Sequence, residues 1–162
     1  MIFLSAFRLC AQKADSTQKF HVHFIAEALG IGGGGSLQLE FSYQLTGRMS
    51  INLRGGIGLA LPTYQSFVPV AANVQVGRRK LKAEFGLGHT LHVRSYSWST
   101  QRLGVTHVRE TYHHYHALIG MRWYANRIFF CGINGVAYLT TGDARYPYPP
   151  VWVGAIIGFR VH

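Results

Sequence analysis

The chain has 162 residues, which suits a single domain, and 14% of them are charged, below the fraction of about a quarter that soluble domains show. Aromatic residues make up 14%, glycines number 19, and the formal net charge is +10. No apolar run of about 18 residues is present, which excludes a membrane-spanning helix. The lysines and arginines are scattered and match no nucleic-acid-binding motif, so we expect no nucleic acid partner.

Residues 1–18 resemble a shortened secretion signal, because "MIFLSAFRLCAQKADS" begins with an apolar stretch and continues through Cys10 into small and polar residues. No basic residue precedes the apolar stretch and Arg8 interrupts it, so a frayed soluble N-terminus stays open as the alternative. We expect a signal remnant and leader at 1–18 and one domain at 19–162. Cys131 then has no disulfide partner.

The segment "SLQLEFSYQL" alternates apolar and polar residues, which is the period of a strand with two unlike faces. A transmembrane strand needs about nine to eleven residues, and eight segments come close to that length. They are predicted at 20–30, 36–45, 49–60, 67–76, 80–94, 110–124, 128–140 and 151–161. A soluble sheet buries its apolar face, whereas a transmembrane barrel turns that face to lipid.

Glycine indicates which face is inside. It recurs on the polar face of the predicted strands, at positions 56, 58, 86, 88, 120, 132, 154 and 158. A water-facing surface has no steric need for glycine, which weakens a strand. A narrow barrel does need it, because long side chains such as Arg54 and Arg122 share the lumen. We therefore predict that the polar face points inward and that Leu37, Leu39 and Phe41 point outward.

The predicted connections alternate in length, with short turns after strands two, four and six and longer loops after strands three, five and seven, including 95–109 and 141–150. The connection after strand one, "IGGGGS", is expected to be short and flexible. This asymmetry between two rims is typical of outer-membrane barrels. Aromatic residues are expected to form two girdles, with Tyr43, Trp123 and Phe159 at the turn end and Tyr64, Tyr96, Trp98, Tyr112, Tyr115 and Tyr138 at the loop end.

The motifs "INLRGGIGLALP", "LKAEFGLGHTL" and "VWVGAIIGFRV" resemble strands of the small outer-membrane β-barrel domain family of Gram-negative bacteria. The likeness covers residues 19–162 and implies an all-β, eight-stranded antiparallel up-and-down transmembrane β-barrel in the bacterial outer membrane. Family members usually end on an aromatic residue that the assembly machinery reads during insertion. This chain ends on His162, so the resemblance implies an incomplete assembly signal or a clipped C-terminus.

Strand parity predicts a set of charged side chains in the lumen, namely Glu27, Glu40, Arg54, Lys82, Glu84, Arg122 and Arg160. Carboxylates in a narrow interior can act as general acids or bases, but no serine or cysteine nucleophile accompanies them at a recognisable spacing. We interpret the set as a structural ion-pair network that fills the lumen. The turn at 46–48 sets Leu39 beside Gly55, and this register predicts a buried ion pair between Glu40 and Arg54.

Histidines are the other chemical signal, because "TYHHYHAL" places His114 and His116 on one face and His92 is expected on the adjacent strand. Three imidazoles together can bind zinc, copper or nickel. Such i, i+2 spacing is common in strands, however, and no aspartate or cysteine lies nearby. We retain the three histidines as metal candidates only and expect no cofactor.

Some barrels of the resembled family act on lipid A through a His-x-Ser pair, which this chain lacks; its nearest acid–base pair is His107 with Glu110. We therefore expect a non-enzymatic surface or scaffold protein whose loops 95–109 and 141–150 contact lipopolysaccharide or an external partner. A soluble secreted barrel that binds a small apolar ligand is the alternative from another class. Cationic side chains at the loop rim are expected to pair with lipid A phosphates, namely Arg94, Arg102, Arg109 and Arg145.

Overall fold

The computed structural model describes residues 19–31, 34–60, 65–78, 80–100, 104–139 and 151–161. These residues form the strands β1 (Phe20–Ala28), β2 (Gly35–Thr46), β3 (Met49–Ala60), β4 (Gln65–Arg78), β5 (Leu81–Thr100), β6 (Gly104–Tyr124), β7 (Phe129–Tyr138) and β8 (Val151–Val161). Across these ranges, no helix is long and apolar enough to cross a membrane. The predicted leader at 1–18 lies outside the described residues.

The eight strands form one closed barrel in which each strand is antiparallel to its sequence neighbours. β1 also pairs with β8, from Val22 beside Val161 to Ala28 beside Ala155, and this pairing closes the sheet. The predicted all-β, eight-stranded up-and-down barrel is thus confirmed. Closure satisfies the backbone hydrogen bonds of every strand and leaves no sheet edge along the barrel wall, which a hydrocarbon environment requires.

The apolar face of the barrel points outward. Leu37 is 66% exposed and Phe41 is 46% exposed, whereas Gln38 and Glu40 between them are 3% and 0% exposed. The same alternation continues on the other strands, where outward leucine, isoleucine, valine and phenylalanine alternate with inward residues that are mostly polar or small. An apolar exterior around a polar interior is the arrangement of a transmembrane barrel. A soluble barrel with an apolar ligand cavity is therefore the wrong alternative.

Inward glycines make room for the side chains that fill the lumen. A Cβ added at Gly58 would overlap the ring of Phe67, and one added at Gly158 would overlap the ring of Phe130. At Gly132 the added atom would lie 3.1 Å from the Cα of Arg122. Glycine therefore occurs at these inward positions for a steric reason, because neighbouring side-chain and backbone atoms occupy the space that a Cβ needs.

The predicted loop at 95–109 is wrong, because most of it is strand. β5 and β6 pair without interruption from Ser95 beside Arg109 to Thr100 beside Gly104. These residues extend the hairpin as a two-stranded ribbon, which we name the β5–β6 ribbon, residues 94–100 and 104–110. Its first strand alternates serine with tyrosine, tryptophan and threonine at 95–100, which suits extended pairing. The predicted loop at 141–150 lies outside the described residues.

The connection after β1 turns into the lumen instead of remaining a flexible loop. β1 ends at Ala28, Leu29 adopts a left-handed backbone with φ of 62°, and Leu29 N donates to Gly34 O at 2.5 Å. This turn inserts Ile31, which is 0% exposed. Thr90 Oγ1 donates a hydrogen bond of 2.9 Å to the Ile31 carbonyl. Ile31 therefore acts as a plug at the loop end of the barrel.

We expect Ile31→Ala to lower the free energy of unfolding by about 2 kcal/mol, the low end for a buried isoleucine, because a glycine-flanked loop can partly collapse into the space. Leu29→Ala in the same connection is the control, since Leu29 is 54% exposed and its truncation should cost about 0.5 kcal/mol or less. Urea unfolding in detergent micelles measures both. Equal effects of the two variants would contradict the plug.

Outward aromatic residues are present near both rims, but the loop-end girdle is smaller than predicted. Tyr43, Trp123 and Phe159 at the turn end are 46%, 48% and 50% exposed, and Tyr115 toward the loop end is 53% exposed. Tyr112 and Tyr138 instead have the inward parity. Tyr64 and the side chains of Tyr96 and Trp98 lie outside the described residues. Position along the strand gives the distance of a tyrosine from the rim, but strand parity decides whether its side chain points inward or outward.

Candidate functional site

The centre of the lumen holds an ion cluster built on Arg122. Its guanidinium donates to Glu40 at 2.7 and 2.6 Å and to Glu84 at 2.5 and 2.8 Å. The side chains are 0% exposed in Arg122 and Glu40 and 1% in Glu84. Because β2, β5 and β6 supply the three groups, the cluster braces opposite sides of the barrel. Charge-assisted bonds of this bidentate kind are the strong ones.

The predicted ion pair between Glu40 and Arg54 does not form, although the two residues are paired across β2 and β3 in the predicted register. Glu40 Oε1 instead contacts His23 Nδ1 at 3.1 Å, and both Glu40 oxygens accept from Arg122. Arg54 Nη1 lies 3.7 Å from Glu84 Oε1, and none of its side-chain nitrogens has a hydrogen-bond partner within the described ranges. Arg54 is therefore a secondary member of the cluster.

Glu27 is buried but stands apart from the arginines. Its carboxylate accepts from Gln38 Nε2 at 2.5 Å, from Ser36 Oγ at 3.2 Å and from Asn134 Nδ2 at 2.5 Å. Glu27 thus has neutral hydrogen-bond donors where strand parity predicted a cationic partner. Three hydrogen bonds satisfy a carboxylate without bringing a second charge into the lumen.

Lys82 and Arg160 lie half-buried nearer the short turns than the cluster. Lys82 Nζ is 5.2 Å from the centre of the Tyr124 ring, within the range of a cation–π contact. Arg160 is paired across the sheet with His23, and Lys82 with Arg122. Neither cation has a carboxylate within ion-pair distance among the described residues. They belong to the mouth of the barrel and not to its central cluster.

Two clusters of buried apolar side chains share the lumen with the central charges. One consists of Ile25, Tyr124, Phe130 and Ile156. The other consists of Ile31, Ala71, Leu118 and Val136, with Tyr138 and Trp152 packed against it. A lumen filled by side chains in this way is a packed interior, and it favours a structural role for the ion cluster over a route for solutes.

The metal candidates share the inward face toward the loop rim. The rings of His92 and His114 are 6.0 Å apart, and Tyr138 contacts the rings of His114 and His116 at 5.8 and 6.0 Å. Within the described ranges, no group of three or more histidine, cysteine, aspartate or glutamate side chains has an arrangement suited to a metal ion. The arrangement that is present is aromatic packing of imidazole and phenol rings.

Sequence reasoning missed two histidine contacts. His23 on β1 is 1% exposed and its ring contacts Glu40. His89 and His113 have the outward parity, and their ring nitrogens lie 3.0 Å apart on the outer wall. Parity alone would have found both, because each position follows from the alternation of its strand.

The predicted loop-rim arginines have different positions. Arg94 is exposed and paired with Glu110 across the β5–β6 ribbon, and the backbone of Arg109 is paired with Ser95. Arg102 and Arg145 lie outside the described residues. The acid–base candidates His107 and Glu110 are three positions apart on β6. Glu110 instead accepts a hydrogen bond from the hydroxyl of Tyr112.

No protein-family model matches the sequence, and no curated protein matches it either. Among solved structures, the N-terminal β-barrel domain of OprF from Pseudomonas aeruginosa is similar with a TM-score of 0.59 and 12% identity, over 87% of this chain and 96% of that chain. Neisserial surface protein A (NspA) aligns with a TM-score of 0.48 and 13% identity, over 89% and 97% of the two chains. Ail, the attachment invasion locus protein of Yersinia pestis, solved with the heparin analogue sucrose octasulfate, aligns with a TM-score of 0.43 and 9% identity, over 87% and 94%.

The likeness to the OprF domain supports the fold alone. The apolar outer surface indicates the environment of the barrel. The outer wall of the barrel presents exposed leucine, isoleucine, valine and phenylalanine side chains on every side, so lipid is the solvent that suits it. A sheet that closes on itself and turns its apolar side to lipid is the fold of the small outer-membrane β-barrel domains. The chain therefore has the transmembrane barrel fold of outer-membrane proteins.

Proposed function

We propose that this integral outer-membrane protein is a non-enzymatic surface protein that acts through its extracellular end and not through its lumen. The observation that carries the proposal is the β5–β6 ribbon. Among the described residues, β5 pairs with β4 as far as Val93 and β6 pairs with β7 from His116 onward, yet β5 and β6 remain paired to Thr100 and Gly104. A projection of this length supports a role outside the membrane.

The ribbon offers two kinds of contact. Among the described residues, its two strands pair only with each other, so their outer edges present backbone N–H and C=O groups that an extended partner segment can join. It also carries Arg94 and Arg109; in the sequence, Arg102 falls between its two strands and Arg145 follows β7. Guanidinium groups bind phosphates with bidentate geometry, which suits lipopolysaccharide as the ligand.

The filled lumen supports the same function. The central charges are hydrogen-bonded to one another and share the lumen with two clusters of buried apolar side chains, which favours a structural role for them. Arg122 and Glu40 brace the wall from which the ribbon projects. A rigid base favours binding by a projecting ribbon, because it limits the entropy lost when a partner is held.

The test compares phosphorylated with dephosphorylated lipopolysaccharide in a titration against the full chain in detergent micelles. Changing Arg94, Arg102, Arg109 and Arg145 together to glutamine should weaken binding of the phosphorylated form by about tenfold or more and leave the weak binding of the dephosphorylated form unchanged. The matched control changes Arg48, Arg78, Lys80 and Arg127 at the opposite rim to glutamine. Loss of binding in the control variant alone, or in neither variant, would contradict the proposal.

A further inference from the structure

The rim that carries the short turns is basic all the way round. Arg48, Lys80 and Arg127 each lie in one of the three turns, Arg78 ends β4, and Lys19 precedes β1. All of these side chains are exposed. In the sequence they are scattered over more than a hundred positions, but the up-and-down topology brings them to one end of the barrel.

The described carboxylates lie elsewhere. Glu27, Glu40 and Glu84 are buried in the lumen, and Glu110 lies on the β5–β6 ribbon at the opposite end. None of the rim cations has a carboxylate within ion-pair distance in the described part of the chain. Lys82 and Arg160 add positive charge just inside the mouth. An uncompensated patch of one sign attracts ligands of the opposite charge.

Aromatic side chains fix the level of this rim relative to the membrane. Phe20 directly follows Lys19 and is 50% exposed, and Trp123 and Phe129 flank the Arg127 turn with exposures of 48% and 41%. Tyr43 lies on the outward face of β2 just before the Arg48 turn. Outward aromatic residues occupy the boundary between hydrocarbon and headgroups. The rim cations therefore lie just beyond the apolar band, at the height of lipid phosphates.

We propose that this basic rim binds the phosphate groups of anionic phospholipids in the leaflet that meets the short turns. Five exposed cations are spread around the circumference of the rim, so they can each contact a separate lipid headgroup. One compact soluble anion would instead need its donors close together on one side of the barrel. The adjoining aromatic residues hold the same lipids by their apolar parts. The inference rests on the transmembrane barrel and is independent of the function proposed for the ribbon.

The experiment uses the full chain in nanodiscs that contain equal amounts of phosphatidylglycerol and phosphatidylcholine. Native mass spectrometry of the released protein counts the lipids of each type that stay bound. The wild-type chain should retain phosphatidylglycerol in preference, and changing Arg48, Arg78, Lys80 and Arg127 to glutamine should reduce that preference by at least about tenfold. All four substitutions are at exposed positions, so the barrel should fold as before.

The control variant removes the same number of charges from the other end, by changing Arg94, Arg102, Arg109 and Arg145 to glutamine. It should keep the lipid preference of the wild-type chain within about twofold, because it leaves every cation of the short-turn rim in place. An unchanged preference in the short-turn variant, or an equal loss in the control, would overturn the proposal. Inorganic phosphate that competes as strongly as phosphatidylglycerol would also overturn it, since the site would then recognise a free anion.

Discussion

Replacing Arg122 with leucine should destabilise the folded barrel by about 3–5 kcal/mol, because it removes the cation that two buried carboxylates share and leaves the weaker contact of 3.7 Å between Arg54 and Glu84. Glu40 and Glu84 both accept hydrogen bonds from this one guanidinium, and both side chains are at most 1% exposed. The two carboxylates then lose their donors in a lumen that also holds two clusters of buried apolar side chains. Urea unfolding in lipid bilayers, followed by tryptophan fluorescence, measures the loss.

Arg54→Leu is the matched control within the same cluster. Arg54 makes one ion contact of 3.7 Å to Glu84, and its side-chain nitrogens have no hydrogen-bond partner in the described part of the chain. Its removal also removes a poorly satisfied buried charge, so we expect a loss of about 2 kcal/mol or less. Adding Glu40→Gln and Glu84→Gln to Arg122→Leu should recover much of the stability. Equal losses from the two arginine variants would mean that the arginines share the carboxylates equally.

Strand parity predicted the inward residues and the β2–β3 register, because both follow from a period of two and a short turn. The sequence could not tell which arginine Glu40 binds. Register gives neighbours within the sheet, and Arg54 is such a neighbour. Contacts in a lumen run across the barrel, where Arg122 on β6 approaches Glu40 on β2 despite being four strands away along the sheet. Such a contact depends on side-chain length and on which neighbours are glycine.

The errors at the loop end have a related cause. The prediction ends β5 at 94 and begins β6 at 110, because a strand that only crosses the bilayer needs no more residues. The serine-rich alternation of 95–100 is therefore predicted as loop. Ile31 was assigned to a flexible connection because it stands next to a glycine run, yet the space among Ala71, Leu118 and Val136 accepts it. A ribbon that projects beyond the membrane and a pocket inside the lumen both lack a periodic sequence pattern, so neither can be recognised from hydrophobic alternation.

The inward assignment of the polar face can be tested at two adjacent glycines of β3, Gly55 and Gly56. Side chains introduced at these two positions would point to opposite sides of the barrel wall. A Cβ added at Gly56 would overlap the carbonyl of Leu37 and lie 2.7 Å from both Cα and Cγ of Gln38. A Cβ added at Gly55 would have its nearest neighbours, Pro69 O and Val70 Cγ2, at 3.7 Å, which is ordinary van der Waals contact.

We therefore expect Gly56→Val to destabilise the barrel by about 3 kcal/mol or more, because the strand backbone itself must shift to admit the side chain. Gly55→Val should change the free energy of unfolding by about 1 kcal/mol or less in either direction, since valine favours strands and faces lipid there. The two variants add the same atoms at neighbouring positions, so composition and strand propensity cancel in the comparison. Urea unfolding in micelles and the gel mobility of unheated protein report the outcome. If Gly55→Val were the more damaging change, Gly55 and not Gly56 would face the crowded lumen.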